Sequence, residues 1–165
     1  MNPLLHNFLL IIAIGAGATL VMDAWLLLLQ RLGVPTLSFA FVGRWVGHLV
    51  RGRVRHPAIA KAAPIRGELA LGWLVHYATG IAFAALLLVL AGPGWAARPS
   101  LLPALALGLA TVAVPLLLIQ PAMGAGIASR NTPTPLRNSL KSLTTHSVFG
   151  LGLYLSAALV AALQP

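Results

Sequence analysis

Four apolar stretches, over residues 4–29, 68–91, 101–123 and 139–163, occupy most of this 165-residue chain. Each reaches the roughly 20 mostly apolar residues that a helix needs to cross a bilayer. The hydrocarbon interior offers no water to satisfy backbone N–H and C=O groups, so a spanning segment must satisfy them within itself, as a helix does. The sequence therefore predicts an all-α fold, a bundle of four transmembrane helices in one domain covering residues 1–165 and built as two helical hairpins. Gly92-Pro93-Gly94-Trp95 breaks the chain between spans two and three, with an interfacial Trp at its end. Thr132-Pro133-Thr134-Pro135 breaks it between spans three and four. There Thr134 is the expected N-cap and Pro135 the first helical residue.

The charges agree with this reading. Only 8% of residues are charged and 59% are apolar, against about 25% and about 45–50% in soluble domains. A formal net charge of +9 would suit nucleic acid, but the basic residues gather between the apolar runs, so the expected partner is the anionic leaflet of a membrane. The connection at residues 31–66 holds Arg31, Arg44, Arg51, Arg53, Arg55, Lys61 and Arg66. The third connection holds Arg130 and Arg137, with Lys141 at its edge, and the second holds only Arg98. The positive-inside rule then puts the first and third connections in the cytoplasm and both termini outside. The N-terminal run lacks the basic start of a signal peptide and reads as a retained span. With no cysteine, disulfides, Cys-ligated metals and thiol nucleophiles are excluded.

The basic first connection carries its own pattern. Val42, Trp45, Val46 and Leu49 recur at helical spacing, and Arg44, His48, Arg51 and Arg55 follow the same period on another face. A basic stripe beside an apolar stripe with Trp predicts an amphipathic helix in the headgroup plane, with Arg44, Arg51, Arg55 and Trp45 against lipid. Packing beneath the bundle as a lid is the alternative. His6, His48 and His56 are expected to be exposed or interfacial.

Polar residues inside the apolar stretches carry the chemistry. Asp23 is one of only two acidic residues, and a carboxylate at that depth costs about 2.5–3.5 kcal/mol on insertion scales unless it has a partner. At 1.5 Å rise per residue, Asp23 lies about 12 Å from the basic end of span one, and His76, His146 and Gln120 lie about 13–15 Å from theirs. Four polar side chains on four helices thus share one depth, which predicts a common site inside the bundle. Three readings fit it. The site is a hydrogen-bonded structural plug, a proton-handling site in which Asp and His change charge, or a metal site of Asp23, His76 and His146. Glu68 opens span two; it either pairs with a loop arginine at the helix N-terminus or gates the polar layer. Trp73 and Tyr77 flank His76 as packing aromatics.

Spans two and four share a pattern, His76-x-x-x-Gly80 and His146-x-x-x-Gly150, and spans one and three share Ala18-Thr19 and Ala110-Thr111. This suggests a parallel internal duplication. Small residues such as Gly15, Gly17, Gly72 and Gly150 allow close helix approach, and Pro115 and Pro121 are expected to kink span three.

The segments Gly17-Ala-Thr-Leu-Val-Met-Asp23-x-Trp25, Gly43-Arg44-Trp45-x-x-His48, Gly72-Trp73-x-x-His76-Tyr77 and Phe149-Gly150-Leu-Gly152-Leu-Tyr154 resemble an uncharacterised family of small bacterial integral membrane proteins, classed only as a domain of unknown function. The resemblance covers nearly the whole chain. It implies four spans and the bacterial inner membrane, and it implies no activity, substrate or cofactor. From the residues, the function expected is binding or proton-coupled translocation of a small solute at the Asp/His site, its ligand and cofactors unknown, in a chain that would work as a homodimer. The alternatives are a metal-dependent membrane enzyme and a non-catalytic accessory subunit. No nucleophile triad, phosphate loop or dinucleotide fingerprint is present.

Overall fold

The computed structural model describes residues 2–163. Six α-helices, with no strand among the described residues, build it: α1 Pro3–Arg31, α2 Phe39–Leu49, α3 Glu68–Ala91, α4 Leu101–Thr111, α5 Gln120–Ala122 and α6 Pro135–Ala162. Four segments are long and apolar enough to cross a membrane: Leu4–Arg31, Glu68–Ala91, Leu101–Met123 and Pro135–Ala162. The chain is thus the expected all-α bundle with four candidate spans. Helix α6 begins at Pro135, four residues earlier than the hydropathy alone suggests, because Pro135 is pre-set for a first helical turn. Thr134 occupies the cap position, but its side chain makes no capping bond.

Span three is interrupted. Between α4 and α5 the segment Val114–Ile119 is a π-helix. Pro115 has no N–H and its ring crowds the carbonyl one turn back, and the chain relieves this by widening, so that Gln120 N–H reaches back five residues to the Pro115 carbonyl. The expected disturbance at Pro115 therefore takes the form of a wide turn.

Small residues decide which helices meet. Ile14 and Ala18 of α1 and Leu153 and Ala157 of α6 are fully buried against one another. A methyl placed on Gly108 of α4 would fall 2.6 Å from Gly150 Cα on α6, so those backbones touch. Helix α1 packs on α3 and on α6, and α6 packs on α4, but α3 hardly touches span three. The two hairpins are thus joined through α1 and α6. A parallel repeat would pair α3 with span three in the same way; instead a cavity separates them.

The first connection is built rather than loose. Gly43 of α2 and Gly72 of α3 face each other so closely that a Cβ on either would collide with backbone carbonyls of the opposite helix. This contact docks α2 onto α3, which is the lid arrangement. Arg44, expected at the lipid surface, is only 9% exposed. Its Nε and Nη2 donate to Glu68 Oε2 and Oε1 at 2.9 and 2.7 Å, and Nη1 donates to the carbonyls of Ile59, Ala60 and Ala62. One guanidinium therefore gathers the whole returning chain, which its planar fork of donors suits. The carboxylate at hydrogen-bond distance raises the Arg44 pKa above its ordinary value. Helix α2 ends at Leu49, before Arg51 and Arg55, and the chain turns at Gly52 with φ of 78°. Those two arginines are exposed, so the basic stripe divides into a buried part and a surface part. His48 and His56, expected at the surface, are buried with ring centroids 4.9 Å apart.

Candidate functional site

Asp23 is satisfied through both of its oxygens by helix α3. His76 Nε2 lies 2.8 Å from Oδ1, and the Tyr77 hydroxyl donates to Oδ2 at 2.9 Å. His76 and Tyr77 are neighbours in sequence, separated by about 100° around the helix, so one turn of α3 clasps the carboxylate from two directions. The pair is largely enclosed, with side chains 18% exposed at Asp23 and 13% at His76. When Nε2 carries the ring proton it donates to the carboxylate, and Nδ1 is then the nitrogen with the lone pair.

Aromatic rings fix the imidazole. Phe39, the first residue of α2, lies against His76 with centroids 4.2 Å apart, and Trp73 and Tyr77 stand edge-on to the same ring. The close approach at Gly43 and Gly72 is what brings Phe39 there. The aromatics beside His76 therefore pack, as expected, and a third one comes from the first connection.

His146 is placed differently. Its Nδ1 lies 2.9 Å from Thr111 Oγ1, and that hydroxyl also donates to the Gly108 carbonyl at 2.7 Å. A hydroxyl has one proton, so with it committed to Gly108 the ring donates from Nδ1 and keeps its lone pair on Nε2. His146 makes no hydrogen bond with Asp23. The three expected metal ligands do not converge, and no group of three or more His, Cys, Asp or Glu residues able to hold a metal ion occurs among the described residues. Gln120, expected at the same site, bonds elsewhere. It accepts from Ser129 Oγ at 2.9 Å and donates to Ser142 Oγ at 3.4 Å, and so ties the third connection to α6. Glu68 pairs with Arg44, the first of its two expected roles.

Two cavities meet at this place. A central cavity of about 270 Å³ lies between α3, the π-helical turn of span three and α6. It is mostly apolar and is closed on the basic side by Phe39, Val42 and Trp45 of α2. Trp45, expected against lipid, thus faces this cavity, and its indole N–H is held by the Val54 carbonyl at 2.9 Å. Both His76 and His146 line the cavity; Asp23 does not. Asp23 instead lines a second, lateral groove between α1 and α3, whose walls include Gln30, Ser38 and Trp73. The hydrogen-bonded Asp23–His76 pair stands in the partition between the two. This partition, Phe39 and Trp45 as cavity walls, and the Thr111–His146 bond escape a reading by depth alone. The one sequence signal for the last was the matching placement of the two Ala-Thr and two His-x-x-x-Gly patterns.

Residues 12–160 match the family described as protein of unknown function (DUF2938), and the chain belongs to that family. No curated protein and no solved structure matches it.

Proposed function

We propose that this member of the family is a proton-coupled carrier, which binds a small solute in the central cavity and couples its passage to a proton carried by Asp23 and His76. One observation carries the proposal: the pair lies between two adjoining cavities, with the carboxylate on one and the imidazole on the other. His76 accepts a proton at Nδ1 from the central cavity and passes the Nε2 proton to Asp23 Oδ1. Asp23 then releases it to the lateral groove, which leaves the ring proton on Nδ1; rotation of the ring turns this N–H toward Asp23 and Nε2 toward the central cavity, where Nε2 takes up the next proton. The Tyr77 hydroxyl holds Oδ2 throughout and so keeps the carboxylate aimed at the ring. Titratable groups buried inside a bundle characteristically mark proton relays in transporters, and the cavity of about 270 Å³, just below the usual range of ligand pockets, suits a small solute.

In the bacterial inner membrane, with the basic first and third connections cytoplasmic, the α2 lid would face the cell interior. Because the chain has no cysteine, single cysteines introduced at Arg51 and Arg98 report this orientation directly: only the former is labelled from the cytoplasmic side. The coupling is tested in proteoliposomes with an entrapped pH dye, challenged with a panel of small acids, amines and neutral solutes. Solute-dependent proton flux is expected for the wild type and at least tenfold less for Asp23→Asn and His76→Gln. Equal flux in all three would overturn the proposal.

A further inference from the structure

The ligand class follows from an imbalance of charge around the central cavity. Both acidic residues of the chain are committed elsewhere, Glu68 to Arg44 and Asp23 to His76 and Tyr77, and neither lines this cavity. Lys141 does line it, together with Ser142 one residue on and His146 slightly more than one turn further. The Lys141 ammonium donates to the Pro35 carbonyl, which occupies one of its three protons and supplies no counter-charge. Arg137 lies one turn earlier on the same helix and adds positive potential at the basic end. Away from Lys141 the walls become apolar, and Phe83 and Phe149 meet edge to face with centroids 6.1 Å apart. Lys141 and Phe149 are eight residues apart on α6, about 12 Å of helix rise. The cavity is therefore cationic at one end, carries two imidazoles along its length and is aromatic at the other end.

We infer that the central cavity takes an amphipathic monocarboxylate, with its carboxylate at Lys141 and Ser142 and its apolar body directed toward Phe83 and Phe149. This names the substrate class for the site on which the carrier reading rests. A carboxylate supplies the counter-charge that the half-buried Lys141 lacks, so a neutral or cationic analogue of the same shape binds less well. The same chemistry has two sources, a small aromatic acid from water or a short fatty acid from the bilayer.

The test is calorimetric titration of the purified full-length protein in detergent, without any proton gradient, using benzoate, benzamide, benzylamine and octanoate. Benzoate or octanoate is expected to bind at least tenfold more tightly than the amide and the amine; the tighter of the two acids identifies the source. Lys141→Gln is expected to weaken the acid about tenfold or more, the effect of losing one charge-assisted hydrogen bond, while Lys141→Arg retains most of the affinity. Equal binding of acid and amine by the wild type would overturn the inference, and that comparison needs no variant to fold. An unchanged affinity in a folded Lys141→Gln would overturn it too. Acid binding without any wild-type flux would remove the carrier reading and leave this inference standing. Flux driven only by amines or neutral solutes would do the reverse.

Discussion

Replacing Gly72 by alanine tests how the lid helix positions the site. The new methyl would point into the Phe39 carbonyl at the start of α2, and neither backbone can yield locally because both atoms belong to helices. Helix α2 must therefore move away from α3. Overpacking of this kind costs about 1–3 kcal/mol, and loss of the Phe39–His76 ring contact adds about 0.5–1.5 kcal/mol, for a combined effect of about 2–4 kcal/mol. At 1.4 kcal/mol per factor of ten, that lowers the folded-to-unfolded ratio by about thirty- to a thousandfold. Two other glycines calibrate the result. At Gly80 an added methyl meets chiefly the Thr19 hydroxyl, which must turn away from the Gly15 carbonyl it donates to; losing that one bond costs about 1 kcal/mol, so Gly80→Ala should cost less. At Gly94 no atom lies within 4 Å, so Gly94→Ala should be close to neutral. Equilibrium unfolding in mixed micelles, with the fluorescence of Trp45 and Trp73 recorded in parallel, reads both stability and the movement of α2. A Gly72→Ala protein as stable as Gly94→Ala, with unchanged Trp45 emission, would refute the claim that glycine contact docks the lid.

Asp23→Ala removes the acceptor for two donors, leaving His76 Nε2 and the Tyr77 hydroxyl unpaired; at about 1–3 kcal/mol for each unsatisfied group, it should unfold at clearly lower denaturant than Asp23→Asn, which keeps an acceptor oxygen. Arg44→Lys cannot reproduce the forked contact with Glu68 and three carbonyls, so limited proteolysis should cut the first connection faster than in the exposed control Arg51→Lys. Burial, then the neighbouring His48 and Arg53, pushes the His56 pKa below its ordinary 6.5. The folded protein thus stays unprotonated at pH values where the unfolded chain takes up a proton, so His56 contributes nothing above about pH 6.5 and lowers stability as pH falls below it. Unfolding midpoints measured from pH 7.5 to 5 should fall, and the fall should shrink in His56→Leu. Thr111→Val should free His146 Nδ1 and alter the pH profile of acid binding in the cavity while leaving proton exchange at Asp23 in place.

The sequence by itself determined the four apolar segments, their order and the positions of Asp23, His76, His146 and Gln120 along them, because hydropathy and a rise of 1.5 Å per residue both run along the helix axis. It also showed that Asp23 needed a partner, since a bare carboxylate in hydrocarbon is so costly. It did not determine the angle at which each helix presents its side chains. Asp23, His76, His146 and Gln120 are expected from the sequence to share a depth, yet only the first two meet; His146 turns to Thr111 and Gln120 to Ser129 and Ser142. That choice belongs to packing, to Gly108 against Gly150 and α1 against α6. Arg44 makes the same point from the loop. Its spacing suits a membrane-surface stripe, but Gly43 and Gly72, far apart in sequence, let α2 press onto α3, and the guanidinium is enclosed with Glu68. Small residues exert no pull that a hydropathy profile registers; they act only when a second backbone arrives, which is why the lid and its cavity belong to the tertiary structure.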